Sequence, residues 1–361
     1  MACVCPPSIP RCCVQVTGTW IPLTTNVGRT EVGLIDVRAV TISGPGPSGK
    51  LSLSSLNPPI AGQWDVVITV AAAGVNRADL LQRAGYYPPP PGAPDWPGLE
   101  ISGTVKRVGH GVSRWRAGDR VVALLEGGGY AEEVVVRETQ VLPVPDGIDL
   151  IDAAALPEAA CTVWNNLVDV GRLRSGEWVL VHGGSGGIGS FAIQVATALG
   201  AHVATTAGGA ERTARCAELG ADLVIDHREQ DFVDEVRRAT DGRGADVVLD
   251  LLGGGALGDN VRALARGGRL VVIGMQQGRR GELDLSDLLA RRGTVTGTLL
   301  RSRPADEKAR IVADTEQHVW PLVADGRVRP VVHARVPFAD AQSAHELLES
   351  GDAFGKVLLV P

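Results

Sequence analysis

The chain has 361 residues, 44% of them hydrophobic and 21% charged, and a formal net charge of −6 at pH 7. This length suits two domains with substantial cores, and the composition is that of an ordinary globular protein. The acidic balance removes the electrostatic case for nucleic acid or an anionic membrane as a partner, and no apolar run is long enough to span a bilayer, so the expected location is the cytoplasm.

Residues 1–36 read as an N-terminal extension, disordered or added by an over-early start, with Val37 as the alternative beginning. Four of the six cysteines lie there, at Cys3, Cys5, Cys12 and Cys13. Their C-x-C and C-C spacing has no second cluster to complete a metal site. Cys161 and Cys216, far apart in helical surroundings, read as small core hydrophobes. From residue 37 the pattern becomes regular. Residues 37–43 alternate as a strand, with 51–53 as a hairpin partner across the Gly/Pro turn 44–49. A strand at 65–73 leads to a short helix at 77–84. A proline-rich loop, 85–97, follows and carries Tyr86, Tyr87 and Trp96. Strands at 98–109, 120–125 and 130–136 complete a mostly β half.

The second half has a different rhythm. An apolar strand from Val179 runs into His182-Gly-Gly-Ser-Gly-Gly-Ile-Gly189 and then into a helix at 191–199. A fully apolar strand is expected when both faces of a parallel sheet are covered. Glycines at 183, 186 and 189 let a backbone approach a pyrophosphate held at a helix N-terminus. Gly183, Ser185, Gly186, Gly187, Ile188 and Gly189 are therefore candidate cofactor-binding residues. Strands at 202–207, 222–226, 245–252, 269–273 and 294–300 then alternate with helices at 211–219, 232–239, 259–265 and 285–291. That alternation predicts an α/β fold with a doubly wound parallel sheet. The second strand ends Thr205-Thr-Ala-Gly-Gly209 without the carboxylate that selects NAD, which makes Gly208 part of a neutral tip and favours NADPH over NADH.

From Val37 onward the chain resembles a zinc-independent medium-chain dehydrogenase/reductase. Within that superfamily it is similar to the NAD(P)H:quinone oxidoreductases of the zeta-crystallin group, above all to their p53-inducible branch. The resemblance rests on Ala73-Gly-Val-Asn-Arg-Ala-Asp-Leu-Leu-Gln-Arg83, Tyr87-Pro-Pro-Pro90, Pro97-Gly-Leu-Glu100, Gly118-Asp-Arg-Val121, Gly127-Gly-Gly-Tyr-Ala-Glu132, Leu156-Pro-Glu158, the glycine turn, Val272-Ile-Gly-Met275 and Leu299-Leu-Arg-Ser-Arg303. It implies a GroES-like β-rich catalytic domain, residues 37–157 and 300–361, interrupted by a Rossmann NADPH-binding domain, 158–299. Segments 329–338 and 356–360 would be strands returning to the catalytic domain.

By the same resemblance, zinc-dependent relatives carry a cysteine at the position of Asn76 and a histidine at that of Leu99, so no zinc is expected. Asn76 and Tyr87 would be the catalytic pair lining a quinone pocket, with Leu81 making it more apolar. Thr162, Gly253, Gly274 and Met275 would lie along the cofactor. Arg212 and His227 stand where relatives carry a lysine and a tyrosine for the 2′-phosphate.

The expected function is NADPH-dependent reduction of a quinone or another small electrophilic acceptor. Two other readings stay open: reduction of the C=C bond of an alkenal or enone, and NADPH binding without catalysis. A homodimer would pair through the sheet edge at 294–300, unless Arg301 and Arg303 blunt that edge.

Overall fold

The computed structural model describes residues 36–44, 46 and 49–361, together with the backbone of two short strands, β1 (Cys13–Val16) and β2 (Thr19–Pro22). These two pair as an antiparallel hairpin in a separate unit, residues 1–35, and are not among the elements expected from sequence. Cys3, Cys5 and Cys12, and most of the stretch expected to be disordered, lie outside the described residues.

The main unit runs, in chain order, β3 (Val37–Ser43), β4 (Lys50–Leu56), β5 (Asp65–Gly74), α1 (Arg77–Arg83), β6 (Glu100–Val108), β7 (Arg120–Leu124), β8 (Glu133–Arg137), β9 (Val141–Pro143) and α2 (Pro157–Trp164). The Rossmann part follows: β10 (Trp178–Val181), α3 (Gly187–Ala198), β11 (His202–Ala207), α4 (Ala210–Glu218), β12 (Leu223–Asp226), α5 (Phe232–Ala239), β13 (Ala245–Asp250), α6 (Leu257–Ala263), β14 (Leu264–Val272), α7 (Leu285–Arg291) and β15 (Thr294–Gly297). The chain ends with α8 (Ala305–His318), α9 (Trp320–Ala324), β16 (Val332–Pro337), α10 (Ala341–Ser350) and β17 (Lys356–Val360).

The six strands β10 to β15 pair in parallel in the order β12-β11-β10-β13-β14-β15. Numbered from the first strand this is 3-2-1-4-5-6, the dinucleotide-binding arrangement, with its crevice beyond the carboxyl end of β10 where the order reverses. The strand period of two explains why β10 is apolar throughout. Val179 and Val181 face a core with Phe191 and Ile193 of α3, Trp164 of α2 and Ile311 of α8, while Leu180 faces Val236 of α5 and Val261 of α6 on the other side. The second sheet is β-rich and mainly antiparallel, in the order β16-β17-β5-β6-β7-β9, with β8 also on β5. Its core is formed by Val66, Ile68, Ile101, Val121, Val134, Val357 and Leu359.

The two sheets meet at a backbone contact. Gly186 in the glycine turn and Gly355 before β17 form a parallel bridge, and the Gly355 N–H donates to the Ser185 carbonyl at 2.8 Å. The last strand of the catalytic sheet thus enters directly from the cofactor turn.

Several boundaries differ from the sequence reading. The helix expected at 191–199 begins at Gly187, so the last glycines of the turn form its first turn. The strand expected at 130–136 is Glu133–Arg137, because Tyr130 and Ala131 are used in contacts with β3. The edge strand stops at Gly297. Helices α8, α9 and α10 are not foreseen. Cys161 and Cys216 are free and buried, and burial pushes their thiols up to about 12 and about 11.

Candidate active site

The cofactor turn is built by close approach. Gly183 sits at φ +68°, where a Cβ would project into open space. At Gly189 a Cβ would lie 2.1 Å from the Gly183 carbonyl oxygen, so only glycine lets α3 start this close to β10. The turn is pinned by Thr206, whose hydroxyl accepts the Gly183 N–H at 3.1 Å and whose carbonyl accepts the Gly184 N–H at 2.9 Å. Behind it, His182 is fully buried between Thr206 Oγ1 and Asn260 Oδ1, and desolvation lowers its pKa to about 4. Gly183, Ser185, Gly186, Gly187, Ile188 and Gly189 thus lie together at one turn, where the open side of Gly183 and the first-turn N–H groups of α3 could receive a pyrophosphate.

Gly208, Arg212 and His227 also converge. Gly208 is flanked by the side chains of His227 and Arg228, and its carbonyl accepts from Arg212 Nη1 at 3.4 Å. Gly208, Glu211, Arg212, Arg215, Arg228 and Asp352, with His333 and Phe354, line a cavity of about 280 Å³, and His227 packs on Gly208 beside it. Arg215 stacks on Phe354 at 3.7 Å, and Arg212 is held by the Gly351 carbonyl at 2.8 Å. Arg228 makes no ion pair among the described residues. Asp226, the nearest strand-end carboxylate, is occupied by the N–H groups of Gly209 and Arg228. Arg215 and Arg228 are additions to the sequence reading. Their basic character was legible, but not their place beside a strand tip.

Of the third expected group, Gly253, Gly274 and Met275 pack together. Gly253, at φ +80°, packs so tightly on Gly274 and Met275 that a Cβ would come within 2.7 Å of the Met275 backbone. Thr162 is 8% exposed on α2.

The polar cluster lies beside the glycine turn. Glu100, fully buried, forms an ion pair with Lys356 Nζ. Lys356 also donates to Asn76 Oδ1 at 2.7 Å, and Asn76 Nδ2 donates to Glu100 Oε1 at 2.9 Å. Both ends of the Asn76 amide are therefore engaged in bracing a buried ion pair. Its backbone N–H is taken by Asp79 at 2.8 Å, which starts α1. The aliphatic stem of Lys356 passes so close to Gly187 that a Cβ there would be 2.4 Å from Lys356 Cδ. One side chain thus spans from the cofactor turn to the residues expected to face substrate.

Glu158, in the first turn of α2, adjoins this pair: its backbone N–H donates to Glu100 Oε2 at 2.9 Å. Burial, and then the charge of Glu100, raise its carboxyl to about 8. Tyr87 is half-buried, with the Arg301 guanidinium 5.2 Å above its ring, and burial together with the charge of Glu158 raises its phenol. Arg301 is only 5% exposed and donates to the Glu126 and Tyr87 carbonyls and to Gln82 Oε1. It therefore does not blunt the sheet edge. It ties the loop after β15 to the Tyr87 loop.

Comparison with known proteins agrees with this arrangement. Residues 62–146 match the alcohol dehydrogenase GroES-like domain and residues 187–315 the zinc-binding dehydrogenase domain. The quinone oxidoreductase of Rattus norvegicus is 32% identical over 319 residues, 87% of this chain and 94% of that protein. The crystal structure of Escherichia coli quinone oxidoreductase complexed with NADPH matches with a TM-score of 0.81 at 30% identity, over 90% of this chain and 100% of that one. The Pseudomonas syringae quinone oxidoreductase matches equally well at 29% identity, over 91% and 100% of the two chains. The fold and the site thus define an oxidoreductase of the medium-chain dehydrogenase/reductase superfamily. Within it, the chain belongs to the quinone oxidoreductase-like family.

Proposed function

We propose that this protein is an NADPH-dependent, zinc-independent quinone reductase. The observation that carries the reading is the Lys356 bridge, which joins the glycine turn at Gly187 to the polar cluster of Asn76 and Glu100. Zinc needs three protein ligands in a catalytic site. At the positions where zinc-dependent relatives offer cysteine and histidine stand Asn76, already bound to an ammonium, and the apolar Leu99, 2% exposed.

NADPH, when bound, supplies the hydride. The protein's own task is to hold, orient and exclude water. The α3 cradle would hold the pyrophosphate, and Arg212, Arg228 and His227 the 2′-phosphate. Thr162, Gly253, Gly274 and Met275 would line the nicotinamide side. The Tyr87 hydroxyl has no partner among the described residues and would donate a hydrogen bond to the acceptor oxygen. No helix among the described residues is long and apolar enough to cross a membrane. We also propose a homodimer through the edge strand β15. Val295, Leu299, Leu285 and Leu289, on or near that edge and on α7, are between 37% and 76% exposed, and native mass measurement reads the outcome.

The direct test is NADPH oxidation with 1,2-naphthoquinone and with an alkenal, side by side. Turnover on the quinone is expected. Turnover on the alkenal with none on quinones would replace the reading with C=C reduction. Cofactor choice is tested by Arg212→Ala and Arg228→Ala, each expected to lower the NADPH-over-NADH ratio of kcat/KM on the order of tenfold, the loss of one charge-assisted phosphate contact. An unchanged ratio in both would assign selectivity elsewhere.

A further inference from the structure

We infer that Glu158 is the proton donor to the reduced acceptor, an assignment that rests on the proposed quinone reductase reading. The argument is one of charge and position. The Lys356 ammonium is committed to Glu100 and Asn76, whereas Glu158, whose backbone N–H donates to Glu100 Oε2, has no ion-pair partner for its carboxyl among the described residues. The remaining groups around Glu158 do not compensate a second negative charge. Asp79 on α1 and Glu100 on β6 are acids, and Cys161 on its own helix is a buried thiol. Tyr87 is a phenol and Thr162 offers only a hydroxyl at 3.5 Å; Arg301 keeps its charge, but it makes no ion pair with Glu158, and its field is shared among Asp79, Glu126 and Glu158. Glu158 therefore holds its proton at neutral pH, in agreement with a carboxyl raised to about 8. Its residue is partly exposed where Glu100 is wholly buried, so its buried carboxyl lies nearer solvent than that of Glu100.

Its place fits the task. Glu158 and Thr162 are four residues apart on one face of α2, with Thr162 on the nicotinamide side in the proposed reading. Tyr87 is close enough to feel the charge of Glu158. Net two-electron reduction leaves the quinone as its monoanion. The O–H bond of Glu158 breaks, a new O–H bond forms on the anionic oxygen, and the carboxylate takes a proton back from water. Tyr87 keeps its hydrogen bond throughout and is not consumed.

The test compares wild type with Glu158→Gln, which keeps size and hydrogen bonding but has no acid proton. Wild-type kcat is expected to fall above about pH 8. In E158Q, kcat should drop on the order of a hundredfold and lose that alkaline limb, with NADPH affinity unchanged. Glu158→Asp, which keeps the acid but shortens its reach, should retain the limb at reduced kcat. A readout without cofactor or substrate is thermal stability against pH. A carboxyl raised in the folded state contributes stability that is fully present below its unfolded value and lost as pH rises through its folded one, so the wild-type Tm should fall relative to E158Q between about pH 4.5 and 8 and run parallel to it above. Wild-type kcat in E158Q, a limb that persists there, or Tm curves parallel over that window as well would each overturn the assignment and leave the quinone reading standing. Wild type that oxidises NADPH with neither quinone nor enone would overturn the reading and the assignment together.

Discussion

At the residue scale the site turns on Lys356. Its ammonium is the one cation paired with Glu100 among the described residues, and Glu100 is wholly out of water. Removing one partner of such a pair leaves an uncompensated buried charge, which costs about 3–5 kcal/mol, far more than the pair itself contributes. Lys356→Met should therefore lower unfolding free energy by about that amount in urea denaturation. Adding Glu100→Gln to it should recover most of the loss, since a neutral amide removes the buried charge. If the double variant were as unstable as the sum of the singles, packing of the lysine stem on Gly187 would be the dominant contribution instead. Neither partner advertises this role in sequence. Glu100 and Lys356 are 256 positions apart, and no local pattern joins an acid in a Pro-Gly-Leu-Glu motif to a lysine at the head of a terminal strand. Asn76 was legible as a site residue because its motif is distinctive, but the sequence assigned its amide to the substrate and the structure gives both amide ends to the ion pair.

At the element scale, legibility followed burial pattern. The strands of the parallel sheet were readable because both faces are covered, which leaves continuous apolar runs between glycines. Helix α8 was not, although its buried residues Lys308, Ile311, Val312 and Thr315 keep helical spacing. Two of the four are polar, and Lys308 pairs with Glu126 inside the protein, so the stripe does not look apolar. Helix α10 hides in the same way, burying two alanines and His345. The sequence pattern starts α3 four residues late because glycine disfavours helix interiors, whereas the glycines of its first turn are required by contact. That requirement predicts an asymmetry. Gly189→Ala places its Cβ against three backbone atoms of Gly183 and Gly184, none of which is a flexible side-chain end. It should cost about 1–3 kcal/mol of stability by overpacking and weaken NADPH binding more than tenfold as the helix start is pushed from the turn. Gly186→Ala has only a 3.4 Å contact to meet, so its stability should change little. Melting curves and fluorescence titration with NADPH measure both. Equal stability losses would mean the turn relaxes as a unit.

At the scale of the whole molecule, two buried neutral histidines set how the protein responds to acid. His345 on α10 hydrogen-bonds Tyr130, which donates to Asp79, while its Nδ1 has no partner. With the Tyr130 proton directed to Asp79, His345 must donate through Nε2 and remain neutral. Desolvation, and then the charge of Arg83, lower its pKa to about 3, as burial lowers His182 to about 4. These two histidines lie in different cores, one bracing the catalytic sheet and one the cofactor turn, so protonating either loosens a different half. The unfolded chain takes up their protons near pH 6.5 and the folded one does not, so stability present above that value is lost as pH falls. Asp79 and Glu158 act in the opposite sense, because their raised carboxyls bind protons in the folded state first. A simple acid titration of Tm therefore mixes both signs. The histidine contribution is isolated by comparing wild type with His345→Gln. Between pH 7 and 4.5 the wild type should lose about 2–3 kcal/mol relative to the variant, the linkage expected for one group that titrates near 6.5 unfolded and well below 4.5 folded. Parallel acid limbs would mean that His345 finds a compensating partner on protonation, and Asp79, one hydroxyl away, is the group that would supply it.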